Sequence, residues 1–270
     1  MNPNLSGTYI IGVDLGGTNV RAAVTDRDGS IVGEGRRPSL AMEGPETTIP
    51  QIVLALRDAM QDAGVQAGDV CGIGMGVPGR HRSREGLVLW SPNFKDWKGL
   101  QLLAPITEEL GIASYMGNDV NVASLGEFRF GAGRDVDSMV MMTLGTGIGG
   151  GIIIDGKLWA GANEGGGEIG HQVICPDAPY KCGCGNFGDV EAMARRDTIV
   201  ERAVRKLFEG RKSILAEMVR PKYYDLTPAM IAEAADQGDE VAVETMRETG
   251  YYVGLCAANA INFLNPELFV

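Results

Sequence analysis

Two stretches of the chain share one pattern of apolar and polar positions. The first runs from Tyr9 to Val32, YIIGVDLGGTNVRAAVTDRDGSIV, and the second from Ser138 to Trp159, SMVMMTLGTGIGGGIIIDGKLW. Each reads as an apolar strand, a Leu-Gly turn rich in glycine and threonine, a second apolar strand, an Asp-Gly turn and a third short strand. The Asp-Gly turns are Asp28-Gly29 and Asp155-Gly156; this dipeptide suits tight hairpins because both residues tolerate positive φ. A meander used twice predicts two related halves. Helical spacing follows each one. Ile49, Val53, Leu56 and Met60 recur at steps of four and three, with Gly64 as the stop. Thr227-Pro228 has the N-cap and first-position pattern. A longer helix from about Asp239 to Asn265 carries Val243, Met246, Tyr251, Leu255, Ala258 and Phe263. Asn265-Pro266 ends it, and Glu267 to Val270 reads as the opening of a strand. Sheets alternating with helices place the chain in the α/β class. A boundary is expected near Gly117, between a small domain over 1–117 and a larger one over 118–270.

Glycine spacing at the first turns points to phosphate. Gly145, Gly147 and Gly150 fall at the G-x-G-x-x-G spacing, which lets backbone N–H groups approach an anion closely. The dinucleotide-binding version runs from a strand into a helix. Here the loop runs into Ile152, Ile153 and Ile154, three β-branched residues, so the glycines belong at the bend between antiparallel strands. Asp14-Leu-Gly-Gly-Thr-Asn19 is the matching bend. Gly16 and Gly17 permit close approach, Thr18 adds a hydroxyl, and Asp14 suits a magnesium ion ordered through water. Two such loops suit a nucleoside triphosphate gripped from both sides, as in a kinase or ATPase.

Charge narrows the partners. The 270 residues carry a formal net charge of -11, which offers no general attraction to nucleic acid or an anionic membrane. The uncharged run from Ser138 to Ile154 is too short and too glycine-rich to cross a bilayer. No basic region precedes the first apolar run, so no signal peptide is read there. A cytoplasmic location is expected, in which the five cysteines stay reduced.

Two constellations carry further chemistry. Asn118-Asp119 stands where an apolar strand turns into a helix marked by Val122, Leu125 and Phe128. Either residue can act as a plain N-cap; the functional alternative makes Asp119 a general base for a sugar hydroxyl. His171, one of two histidines, precedes Cys182-x-Cys184. In a reducing compartment that spacing reads as zinc before disulfide, with Asp189 or Cys175 as the fourth ligand.

Together these motifs resemble the ROK sugar kinases of the actin/hexokinase-like ATPase superfamily, over essentially the whole chain. Asp14-x-Gly-Gly-Thr18 resembles the first phosphate motif and Leu144 to Gly151 the second. Gly76-Val-Pro-Gly79 resembles the inner strand-turn of the small domain, and Ser91-Pro-Asn93 followed by Trp97 a sugar-contacting loop. Glu168-Ile-Gly-His171 and Cys182-Gly-Cys-Gly-Asn-x-Gly-x-x-Glu191 resemble the family signature and its zinc loop. The resemblance implies a two-domain actin-like (ribonuclease H-like) fold, with nucleotide and sugar in the interdomain cleft. It implies ATP-dependent phosphorylation of a hexose, with glucose leading over N-acetylmannosamine, N-acetylglucosamine, fructose and allose. Hexose contacts are implied for Asn93, Asn118, Asp119, Glu168, His171 and Glu191, with Asp119 as the base. ATP and Mg2+ contacts are implied for Asp14, Gly16, Gly17, Thr18, Asn19, Gly145, Thr146, Gly147 and Gly149. Structural Zn2+ is implied on His171, Cys182, Cys184 and Asp189, where it would stiffen the sugar loop. A homodimer or larger homo-oligomer is expected, with no nucleic acid or membrane partner.

Two departures qualify the resemblance. The family has a third cysteine where Asp189 stands. The chain stops at INFLNPELFV, where members continue to a glycine-rich adenosine motif and a final helix, so a longer natural protein is expected. ROK repressors carry a DNA-binding helix-turn-helix ahead of the first phosphate motif; here that motif begins near residue 10, which favours the kinase. A non-catalytic sugar sensor is the other alternative.

Overall fold

Alternating burial builds the first meander. Strand β1 (Tyr9–Leu15) buries Ile11, Val13 and Leu15, and β2 (Asn19–Thr25) buries Val20, Ala22 and Val24. Strand β3 (Ile31–Pro38) presents Gly33 and Gly35 to the same side. Helix α1 (Pro45–Ala63) lies so close there that a Cβ at either glycine would collide with its backbone. Ile52, Val53, Leu56 and Met60 line the buried face of α1, and Gly64 ends it in the left-handed region at φ 68°. Strand β4 (Val70–Val77) then returns parallel to β1. Next come β5 (Arg80–Arg82), β6 (Leu87–Trp90) and β7 (Leu100–Gln101), a separate three-stranded sheet. Helix α2 (Leu103–Leu110) leads into β8 (Ser114–Asn118), which closes the main sheet in the order β3-β2-β1-β4-β8. Helix α3 (Asp119–Phe130) follows without a break.

The second meander repeats the plan. Strands β9 (Met139–Leu144) and β10 (Ile148–Ile154) are antiparallel, and Asp155-Gly156 turns the chain into β11 (Lys157–Leu158). The glycines at 145–147 therefore sit at a strand-to-strand bend, as their context predicts. Among the described residues five α-helices follow: α4 (Val190–Ala194), α5 (Arg196–Phe208), α6 (Leu215–Val219), α7 (Pro228–Asp236) and α8 (Glu240–Leu264). Thr227 caps α7 and Asp239 caps α8 with side-chain oxygens. Strand β12 (Leu268–Phe269) then pairs parallel with β9. In both meanders the first strand is antiparallel to its successor and parallel to a strand that arrives after a helix. The duplication is thus one of topology as well as sequence.

This computed structural model describes residues 7–219, 222 and 225–270. The chain forms two compact units, one running up to Asp135 and including Lys157–Gly166, the other comprising Val136–Gly156 and Gly167–Val270. The division falls after Asp135 rather than at Gly117. Strand β8 hydrogen-bonds to β4 and α3 packs back on that strand, which keeps Asn118 and Asp119 in the first unit. Helix α8 also buries a different set of residues from the bulky ones its sequence brings to notice. Val241, Ala242, Thr245, Thr249, Cys256 and Ala260 are buried, while Tyr251 and Phe263 are 62% and 88% exposed. Small side chains on that seam let α4, α5 and α7 approach closely. Among the described residues no helix is long and apolar enough to cross a membrane.

Glu267 fastens β12 to the start of β9. Its carboxylate accepts the Asp137 and Ser138 N–H groups at 2.8 Å and the Ser138 hydroxyl at 3.1 Å. These bonds, the two backbone amides first, hold the carboxyl below its usual range. A depressed folded pKa contributes stability in full above the unfolded value, about 4.3, and loses it as pH falls through the folded value. Amide-exchange protection at Met142 and Val270, whose N–H groups pair β9 with the chain end, should therefore drop in acid after correction for intrinsic rates. Glu267→Ala should start lower at neutral pH and show no such step; an unchanged acid profile in the variant would remove this role.

Candidate functional site

In the first unit the two carboxylates singled out by sequence share a cavity of about 640 Å3. Asp14 stands at the end of β1, before the bend closed by the Gly16 N–H to the Asn19 carbonyl at 2.9 Å. Asp119 opens α3. Gly76 of β4 lies beneath it, where a Cβ would come within 3.3 Å of the Asp119 Cα. Asp14 is exposed and has no hydrogen-bond or ion-pair partner among the described residues. The cavity also takes Arg21 and Arg36, which sequence reasoning passed over. Their signal was the period of two: Asp14 pairs in register with Arg21, and Arg21 with Arg36, on one sheet face.

The cap at this junction is Asn118. Its Oδ1 accepts the Val120 N–H at 3.0 Å and the Asn121 N–H at 3.1 Å. That spends the carbonyl end of the amide and leaves the NH2 end to donate. Asp119 is thereby free of capping duty toward the third helical residue, although its Oδ1 also lies 3.0 Å from the Val120 N–H. Asn93 adjoins the first bend, its Cβ 3.6 Å from where a Cβ on Gly17 would stand. Phe94 and Trp97, with ring centroids 4.3 Å apart, are buried beneath the loop that carries it.

The second unit gathers His171, Cys182, Cys184 and Asp189 so that one donor atom from each lies within 4.8 Å of the others. Cys175, the alternative fourth ligand, is outside this group. The reason is local. Gly188, at φ 63°, packs against the Cys175 carbonyl with no room for a Cβ. The Ile174 and Cys175 N–H groups donate to the Gly188 carbonyl, so that segment serves as backbone support. Two bridges, Val173 with Asp189 and Lys181 with Phe187, shape the loop between. His171 turns Nδ1 toward Asp189 Oδ2 at 3.2 Å and Cys182 Sγ at 3.5 Å, and Nε2 toward Glu168 Oε2 at 3.9 Å. Cys184 Sγ lies 3.4 Å from the same Asp189 oxygen. Tetrahedral zinc bound by nitrogen, sulfur and oxygen spaces its donors by about 3.3–3.8 Å, so the arrangement fits such an ion.

Burial, then the contact with Asp189, pushes the Cys182 thiol well up. Burial would raise the Asp189 carboxyl too, but hydrogen bonds from Cys182, the Ala192 amide, His171 and Cys184 outweigh it and hold the group low. A divalent ion reverses this logic by favouring thiolate and carboxylate together. Glu191 stands in the first turn of α4 with Oε1 3.3 Å from Cys182 Sγ and Oε2 2.9 Å from the Ile148 N–H. The second link was invisible in the sequence, since no motif relates positions that far apart. At the bend itself the Gly145 N–H reaches the Gly147 carbonyl at 2.9 Å, with Gly145 and Thr146 exposed.

Residues 10–270 match the ROK family. The glucokinase of Halalkalibacterium halodurans is 34% identical over 266 residues, covering 98% of this chain and 80% of that protein. The xylose repressor of Caldicellulosiruptor bescii is 30% identical over 267 residues, covering 97% of this chain and 64% of that protein. A crystal structure of a ROK family glucokinase from Streptomyces griseus, in complex with glucose and AMPPNP, superposes with a TM-score of 0.80 at 32% identity. That likeness covers 97% of this chain and 81% of the solved one.

Proposed function

The chain belongs to the ROK family, and on that premise we propose that it is an ATP-dependent hexose kinase with glucose as its acceptor. The observation that carries this reading is the cavity shared by Asp14 and Asp119, in a chain that aligns with glucokinases over nearly its whole length. In this reading Asp119 accepts the proton of the attacking sugar hydroxyl. The hydroxyl oxygen bonds to the γ-phosphorus as the bond to the departing ADP oxygen breaks. Hexose 6-phosphate and ADP leave, and the proton passes from Asp119 to solvent. Asn118 fixes the start of α3 and donates its NH2 to the sugar. Asn93, Glu168, His171 and Glu191 hold further hydroxyls.

Each unit offers one bend suited to phosphate oxygens, Gly16 to Asn19 in the first and Gly145 to Gly149 in the second. Asp14 would hold Mg2+ through water, and the bound ion supplies charge neutralisation between the β- and γ-phosphates. Zinc is assigned to His171, Cys182, Cys184 and Asp189. It would keep the histidine ring oriented, with Nδ1 on the metal side and Nε2 beside Glu168 on the sugar side. The five unbridged cysteines and the substrates suit a cytoplasmic enzyme.

Asp119→Asn keeps the shape but cannot accept a proton. Glucose-dependent ADP release should fall by about 10²–10⁴-fold while glucose binding by calorimetry largely survives. Turnover near that of the parent would leave Asp119 outside the mechanism; hexose binding without ADP release in the parent chain would instead favour a sensor. Metal analysis of untagged protein should find one zinc per chain, retained in Cys175→Ala and lost in Asp189→Ala. The converse pair of results would make Cys175 the fourth ligand.

A further inference from the structure

A short mechanical path runs from the four-residue cluster to the second phosphate bend. Asp189 is fully buried and divides its two oxygens. Oδ2 faces His171 and Cys184, while Oδ1 accepts the Ala192 N–H at 2.7 Å and so caps α4. Whatever fixes the cluster thus fixes the first turn of α4. That turn carries Glu191, whose Oε1 touches Cys182 and whose Oε2 accepts the Ile148 N–H. Ile148 is the first residue of β10 after the bend. Gly147, just before it, leaves the carboxylate room to reach in, because a Cβ there would collide with Glu191 Oε2.

We propose that Asp189 and Glu191 form a relay by which the occupant of the cluster sets the order of the Gly145–Gly149 bend, making Glu191 a positioning residue for nucleotide phosphate as well as a sugar contact. The inference rests on the kinase reading for the word nucleotide, but its linkage is a property of the chain itself. The family likeness assigns the metal to the sugar loop; the hydrogen bonds extend its reach to the opposite substrate. Two features make the path stiff. The Asp189 carboxylate cannot rotate toward solvent, and a short helix transmits its first turn directly. An amide hydrogen-bonded to a charged acceptor is also among the stronger single restraints available to a loop.

The test uses the full chain and follows amide exchange at Ile148, with AMPPNP affinity measured in the absence of hexose. Removing zinc from the parent with a chelator should speed exchange and weaken AMPPNP by about tenfold or more, the scale expected for loss of a charge-assisted hydrogen bond. Glu191→Ala should exchange fast and bind AMPPNP weakly whether or not zinc is present. Glu191→Gln, whose amide oxygen still accepts the N–H, should recover most of the protection. Gly147→Ala, which displaces the carboxylate without changing it, should resemble Glu191→Ala. Zinc-independent exchange in the parent, or zinc dependence that persists in Glu191→Ala, would overturn the relay. If the purified parent holds no metal, Asp189→Ala and Glu191→Ala decide instead: non-additive losses in the double variant support the relay and additive losses reject it. Coupled exchange with no AMPPNP binding at all would leave the relay standing and defeat the kinase reading.

Discussion

The second unit is organised around one buried carboxylate. Asp189 has no contact with solvent, and an ionised group in that position is tolerated only when its oxygens are fully engaged. One oxygen is engaged by the first turn of α4 and the other by His171 and Cys184. Neither half suffices. A cap without the cluster leaves a charge facing apolar packing, and the cluster without the cap leaves the helix start unsatisfied. The loop carrying the two cysteines, the histidine that faces Glu168, and Glu191 beside the bend between β9 and β10 all take their places from this one side chain. A cysteine in its place would offer only a weak hydrogen-bond acceptor to the helix. The aspartate caps α4 and still presents an oxygen to His171 and Cys184.

The first unit solves a different problem with glycine. Gly33 and Gly35 bring α1 down onto the sheet, and Gly76 lets α3 start close above β4. On the opposite face from α1, alternation along β1, β2 and β3 collects Asp14, Arg21 and Arg36 beside Asp119. Charge thus lies on one face and the hydrophobic core on the other, which is what a period of two produces when one side is packed. The placement of the catalytic candidates follows from sheet register, and their mutual approach from missing side chains beneath them.

Elements that depend on neighbours in sequence were legible in advance. The paired meanders, the Asp-Gly turns, the stop at Gly64, the cap at Thr227 and the break at Asn265 each rest on a few adjacent residues. The bend at Gly145 was readable as strand-to-strand because β-branched residues follow it, and the bend at Gly16 as its match in the repeated meander. The family resemblance rested on the same short motifs, and the match over residues 10–270 agrees with it. At Asn118-Asp119 the sequence left two possible caps, since either side chain has the required oxygen. The geometry selects Asn118 as the cap, with both the second and third helical amides in reach.

The sequence by itself determined local conformation: where the chain is extended, where it turns and which residue types carry chemistry. Those properties are set by backbone sterics and by side-chain alternation over spans of two to seven residues. Tertiary structure alone decided convergence. It admitted Asp189 to the cluster and left Cys175 outside, because Gly188 packs on the Cys175 carbonyl. It chose the small-residue seam of α8 over its bulky face, because close helix packing rewards shape over hydrophobicity alone. It moved the division of the chain past α3, because β8 completes a sheet begun by β1. It joined Glu191 to Ile148, since a hydrogen bond between distant positions depends on where two separately built elements meet. No local pattern encodes that meeting point; it is fixed only when the core packs and every buried polar group must find a partner.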